Sequence, residues 1–320
     1  MAGINLSINN LARDLVEEMI SKKQRLKISV TRQKSGTTII DTGVAVNGSL
    51  LAGKYFALVC MSGLAELEFA NFDLNGILFP AISVGTDHPV IACMASQYAG
   101  WEIEYNNFRA MASGPGRILA KKEALLDQIA YRDDSKIAVL AMETSERPTR
   151  AVCEYIAGEL GISPENLYIL IASTSSITGS IQISARIVET GIHKLMELDF
   201  HINQIEEGWG FCPIAPCAGN DLEAIGRTND SILYGGSVFY TVDMDDNQLQ
   251  SIINDIPSAA SDDYGRNFLD LFEEYEGFYE IDPLLFSPAR VTINNKRTGS
   301  VFTSGEMNYS ILENSYLRAD

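Results

Sequence analysis

A chain of 320 residues, 46% hydrophobic and 21% charged, has the composition of an ordinary folded protein and enough material for two domains. Its formal charge of −18 repels phosphate backbones and argues against nucleic acid as a partner, although an acidic surface that aids solubility accounts for the charge by itself. No stretch approaches the roughly 20 apolar residues that cross a bilayer, so no membrane partner is expected.

Residues 1–19 lack a basic segment followed by an apolar core, so no secretory signal is expected and the location is read as cytoplasmic. Leu11, Leu15, Met19 and Leu26, with charges between them, predict an amphipathic helix over 11–28. The β-branched runs Thr37–Asp41 and Val44–Val46, set off by Gly36 and Gly43, predict strands. Ala57–Leu67 reads as helix or strand, because periodicity does not separate the two in so short an apolar run. Ile77–Val84 predicts a strand interrupted by Pro80, at an edge or a bulge. Thr86-Asp87-His88-Pro89 reads as a helix N-cap with proline near the first helical position. Ser113-Gly114-Pro115-Gly116-Arg117 precedes a helix expected to run to about Gln128. Amides at that helix start, with Arg117, suit a phosphate or carboxylate; a glycine turn entering a helix accounts for the same residues.

The segment 136–197 carries the clearest pattern. Lys136–Met142 predicts a strand, and Pro148 starts a helix that runs through Leu160 and stops at Gly161. Leu167–Ala172 predicts a second strand, and 180–197 a second helix. Strand–helix–strand–helix at these lengths implies parallel strands and an α/β fold. Ligands gather beyond the carboxyl ends of such strands, where the loop Ser173–Ser180, with Ser173 and Ser176, is placed. Further on, Asp230–Val242 is strand-like, 253–264 reads as an exposed connection, and an acidic helix is expected over 263–276. Strands close the chain near Arg290–Ile293 and Ser300–Thr303. The expected organisation is an N-terminal α/β domain over 1–132 and a second α/β domain over 133–320, whose last strands return to the first domain in an alternative reading.

On the helix at 180–197, Ile181, Ala185, Val188, Ile192 and Leu195 share one stripe, the expected core face. Gln182, Arg186, Glu189 and His193 form a polar stripe beside it, at the core margin where a cleft wall would lie. Arg186 and Glu189 are three apart, so their heads can meet. An ordinary ion pair on a solvated helix, contributing a few tenths of a kcal/mol, also explains that spacing. Against it stand the preceding Ser/Thr-rich loop and the small residues Gly179, Ser180, Ser184 and Ala185, which permit close approach of a ligand. Arg227-Thr228-Asn229-Asp230 either hydrogen-bonds a heterocycle or shapes a turn, and Tyr234 either stacks on a ring or is simply buried. Five scattered cysteines (Cys60, Cys93, Cys153, Cys212, Cys217) suit reduced thiols, and three histidines without metal-ligand spacing leave no metal expected.

Several blocks then make a pattern together: GTDHP at 85–89, SQYAGW at 96–101, MASGPGR at 111–117, GSIQISARIVETGIHK at 179–194, PIAP at 213–216, GRTNDSILYGG at 226–236 and SPARVTIN at 287–294. In this order, over nearly the whole chain, they closely resemble the methenyltetrahydromethanopterin cyclohydrolase family, with Gly116 standing where alanine is expected. The resemblance implies two α/β domains with a cleft between them, a homotrimer, and addition of water to methenyltetrahydromethanopterin to give the formyl compound. It implies no cofactor bound by the enzyme itself, tetrahydromethanopterin being the substrate's one-carbon carrier. The family's catalytic arginine and glutamate fall on Arg186 and Glu189. Contacts to the pterin substrate are expected from Gln182, Asn229 and Asp230 along the ring edge. Ser113, Gly114 and Arg117 are expected at the phosphate-bearing tail, and Thr86, Asp87, Ser173, Ser176 and Thr228 elsewhere around the substrate. A dehydrogenase acting on the same carrier would need a nicotinamide or deazaflavin site, and the sequence contains no GxGxxG.

Overall fold

Residues 6–275 and 280–317 are described in the computed structural model, so Glu276, the end of the expected acidic helix, lies outside them. The described residues form two compact units, one built from the chain up to Ala65 and from 91–182, the other from 66–90 and from 183 onward.

In the first unit, α1 (Ile8–Ser21) begins at Ser7, whose hydroxyl accepts the Asn10 N–H, and it buries Ile8, Ala12, Val16 and Met19. The helix expected over 11–28 breaks before α2 (Lys23–Leu26), after which Lys27 takes a left-handed φ of 56°. β1 (Ser29–Arg32) and β2 (Thr38–Gly43) pair antiparallel. Val44–Val46 is not the expected strand. The Asp41 carboxylate accepts the N–H groups of Gly43, Val44 and Ala45 and curls the chain there. The ambiguous run at 57–67 divides: it ends α3 (Leu50–Cys60), capped by Ser49, and opens β3 (Glu66–Leu74), which with β4 (Ile77–Thr86) belongs to the second unit. β5 (Trp101–Tyr105) and β6 (Phe108–Ser113) form a hairpin. The helix expected to reach Gln128 is only one turn, α4 (Arg117–Ala120), because Lys121 turns left-handed; a 3₁₀ turn follows at Ala124–Gln128.

β7 (Ala138–Glu143), α5 (Arg150–Leu160) and β8 (Leu167–Ala172) give the expected parallel unit, with α5 capped by Thr149 and stopped at Gly161. The sheet runs β1-β2-β8-β7-β6-β5, with β2, β8 and β7 mutually parallel. Alternation makes these three strands apolar on both faces, so both need covering. Ile39, Leu140 and Ile169 pack with Val152 and Ile156 of α5; Ile40, Val139 and Leu170 pack with Val16 of α1 and Phe56 of α3. The boundary expected at 132/133 is therefore misplaced. β7 and β8 complete the sheet that holds β2, and the chain changes unit after 182 instead.

The single helix expected over 180–197 is two, α6 (Ile177–Ser184) and α7 (Ile187–Glu197), separated by a turn in which the Arg186 N–H bonds the Ile183 carbonyl. In the second unit come β9 (Ile205–Pro213), α8 (Asp221–Gly235) and β10 (Ser237–Val242). The strand-like reading of Asp230–Val242 thus holds only past Gly236. Ile232, Leu233 and Tyr234 are instead the buried face of α8. After α9 (Asp246–Ile252), the connection at 253–264 is less exposed than expected, since Ile253, Ile256 and Ser258 are buried. α10 (Phe268–Glu274), β11 (Arg290–Asn295), β12 (Val301–Gly305) and α11 (Tyr309–Tyr316) complete the unit.

The second sheet runs β12-β11-β10-β9-β4-β3, and only β10 and β11 are parallel. β4 lies between β3 and β9 rather than at an edge. Pro80 is tolerated because pairing to β9 begins one residue later, at Ala81. α7 packs on β9 and β10, while α8, α10 and α11 pack around Phe72, Ala81 and Leu312. No helix among the described residues is long and apolar enough to cross a membrane. Of the five cysteines, four are buried and Cys217 is exposed, and no disulfide joins them.

Candidate functional site

In the first unit, β2, β8 and β7 end side by side at Gly43, Ala172 and Glu143. Polar groups gather just there. Asp41 is 1% exposed; besides its three backbone donors it takes Arg147 Nε at 3.0 Å and Nη2 at 2.7 Å on one oxygen. Glu143 accepts from the Thr174 hydroxyl and from Gln182 Nε2 at 3.0 Å. Because a carboxylate only accepts, the Gln182 amide is oriented with its NH₂ toward Glu143. Ser173 donates to the Gly43 carbonyl at 2.9 Å. Ser176 donates to the Ser173 carbonyl at 2.7 Å and accepts the Gly179 N–H at 3.0 Å, capping α6. Gly179 is required, since a Cβ would lie 2.2 Å from the Ser173 oxygen. The expected residues Ser173, Ser176 and Gln182 therefore share one strand-end cluster. Asp41, Glu143 and Arg147 were missed; the signal for the two acids was their place at the ends of predicted strands.

The 113–117 loop has a different character. Ser113 donates to the Gln97 carbonyl, Gly114 takes a φ of 95°, and its N–H bonds the Ser96 carbonyl. Arg117, 1% exposed, donates through Nε to Glu123 at 2.8 Å, through Nη2 to the same carboxylate, and through Nη1 to the Ser96 carbonyl at 3.0 Å. Its guanidinium also lies over the Tyr98 ring, 5.2 Å from the centroid. A buried ion pair thus stitches this loop to residues 94–98 and to Glu123.

In the second unit, the expected meeting of Arg186 and Glu189 is present, with Nη1 3.7 Å from Oε2. The side chains are 13% and 8% exposed, so this is no solvated surface pair. The break before α7 places Arg186 at its N-cap and Glu189 in its first turn, where the positive helix end favours a carboxylate. The predicted core stripe of Ile181, Ala185, Val188, Ile192 and Leu195 is wholly buried. Thr86 ends β4 opposite Gly208, and its hydroxyl, rather than Asp87, accepts the His88 N–H at 3.1 Å. Asp87 is exposed, and a π-helix follows at Val90–Gln97. A Cβ on Gly208 would meet both Val188 Cγ1 at 2.7 Å and Pro89 Cβ at 3.6 Å, so the turn at 86–89 and the start of α7 border the same strand residue.

Thr228, Asn229 and Asp230 lie inside α8, so the turn offered as one reading of this segment is absent. Thr228 donates to the Ala224 carbonyl and Asn229 to the Ile225 carbonyl, both along the helix. Asp230 accepts the Phe268 N–H at 2.9 Å and Asn267 Nδ2 at 3.2 Å. Burial pushes its carboxyl up to about 6, against the pull of Ser315 and these donors. It borders a pocket of about 130 Å³ with Glu223, Arg227 and Ser315. The side chains of Thr228, Asn229 and Asp230 thus bond to their own helix and to the start of α10. Tyr234 is buried, its hydroxyl on the Arg266 carbonyl.

Comparison with known proteins follows the whole chain. The family described as Cyclohydrolase (MCH) matches residues 7–316. The methenyltetrahydromethanopterin cyclohydrolase of Methanosarcina mazei is 44% identical over 315 residues, covering 97% of this chain and 98% of its own. Proteins of the same name from Methanocaldococcus jannaschii and Methanothermobacter thermautotrophicus are 42% and 40% identical, each over 317 residues and 97% of this chain, and 98% and 99% of their own lengths.

Proposed function

The chain belongs to the methenyltetrahydromethanopterin cyclohydrolase family, and on that footing we propose that it hydrolyses methenyltetrahydromethanopterin to formyltetrahydromethanopterin, with Glu189 as the general base. The observation that carries the residue assignment is the largely buried Arg186–Glu189 pair at the start of α7. The substrate's methenyl carbon is part of an amidinium, its positive charge shared over two nitrogens. Water adds to that carbon and loses a proton, giving a neutral tetrahedral adduct. The adduct's hydroxyl proton then leaves, the bond to the second nitrogen breaks, and that nitrogen is protonated. A formyl group remains and one proton is released overall. One carboxylate that first accepts and then returns a proton serves both steps. The Glu189 charge also favours the cationic substrate, and Arg186 holds the carboxylate in one orientation.

The reading includes no cofactor held by the enzyme, since tetrahydromethanopterin arrives as the substrate's carrier. It includes a cytoplasmic location and a homotrimer. The exposed cross-strand neighbours Trp209 and Phe239 support assembly, as apolar surface that a partner subunit would cover.

The test is Glu189→Gln, which keeps the side-chain shape and removes the base. Turnover, followed as loss of the methenyl compound's ultraviolet absorption, should fall about 100-fold or more. A folded variant with near wild-type turnover would remove Glu189 from this role.

A further inference from the structure

The helix that carries Glu189 is docked unusually tightly onto the sheet beneath it. Tyr240 of β10, 0% exposed, directs its hydroxyl onto the carbonyl oxygen of Val188 at 2.7 Å, one residue before Glu189. An interior helix carbonyl already accepts an N–H four residues on, so this second bond forms only where another element comes very close. Three glycines permit that approach. A Cβ on Gly191 would lie 2.2 Å from the Tyr240 hydroxyl, one on Gly208 would lie 2.7 Å from Val188 Cγ1, and one on Gly210 would lie 2.5 Å from Ile187 Cγ2. Farther along α7, buried Lys194 donates to the Leu284 carbonyl, so the helix is held at two points.

We propose that Tyr240 is a positioning residue: its bond to the Val188 carbonyl fixes the first turn of α7 and thereby aims the Glu189 carboxylate. The inference rests on the reading of Glu189 as the base. An anchored peptide next to the base holds the carboxylate where water must be deprotonated, and small misplacements of a reacting group are costly in rate. Tyr240 is wholly buried and its hydroxyl is spent on the Val188 carbonyl, so its effect is expected in kcat rather than in KM.

The experiment compares Tyr240→Phe, Tyr234→Phe, Glu189→Gln and the double variant Y240F/E189Q, measuring kcat and KM with the methenyl compound and Tm for each. Tyr234→Phe is the control. It loses a buried hydroxyl bond of the same kind, to the Arg266 carbonyl, in the same unit. Tyr240→Phe should lose about 10- to 100-fold in kcat with KM within about twofold, while Tyr234→Phe keeps its kcat despite a similar fall in Tm. Once the base is gone its aim no longer matters, so the double variant should be no slower than Glu189→Gln alone. Equal kcat in the two tyrosine variants, or losses that multiply in the double variant, would overturn the proposal. A failure of Glu189→Gln to slow turnover is a separate result: it overturns the reading of the base, and this proposal with it. Should Tyr240→Phe not fold, Gly191→Ala places a methyl where the hydroxyl sits and breaks the same bond, and the same comparisons decide.

Discussion

Asp230 takes its character from its surroundings. It sits inside α8, accepts the first N–H of α10, and is buried; burial holds its carboxyl up at about 6, from an ordinary 3.8. Between these two values the folded chain binds a proton that the unfolded chain does not, so the stability this group contributes below pH 3.8 is lost as pH rises through 6. Asp230→Asn cannot titrate. Its Tm relative to wild type should therefore be higher near neutral pH than near pH 3.8, measured by calorimetry across that range. A difference that stays constant with pH would show that Asp230 does not change charge on folding. Arg117 teaches a related lesson. A cation after a glycine turn carries no mark of its partner in the sequence, and it is the fold that brings Glu123 onto it.

At the scale of elements, α7, which carries Glu189, packs closely on β9. Its closeness depends on the absence of side chains at Gly208 and Gly210, not on any attractive group. Gly210→Ala introduces a methyl where Ile187 and Val188 already lie, and strain in a packed core of this kind costs about 1–3 kcal/mol. Denaturant unfolding should show a loss in that range, and an unchanged midpoint would mean that α7 can shift without penalty. The same elements show how far periodicity reaches. The apolar stripe of 180–197 was read correctly, because burial of Ile181, Ala185, Val188, Ile192 and Leu195 survives the break in the helix. The polar stripe was not a continuous row, because the turn at Ala185 and Arg186 re-aims the residues after it.

For the whole molecule, 42 acidic against 24 basic residues leave a charge of −18, and self-repulsion of that size opposes the folded state. Added potassium chloride screens it, so Tm at neutral pH should rise from low to molar salt. A flat or falling Tm would show that the acidic groups are already compensated locally. The sequence by itself determined the α/β class, the parallel strand–helix–strand at its centre, the family and the Arg186–Glu189 pair, whose members are three residues apart. Each of these is written in local spacing, which a helix or strand converts directly into geometry. Only the tertiary structure decided the two sheets, the move of 133–182 into the first unit, and the partners of Asp41 and Val188, which lie 106 and 52 residues away in the chain at Arg147 and Tyr240. Contacts across such distances depend on which strands pair and how closely a helix can approach, and neither is encoded in any short stretch of residues.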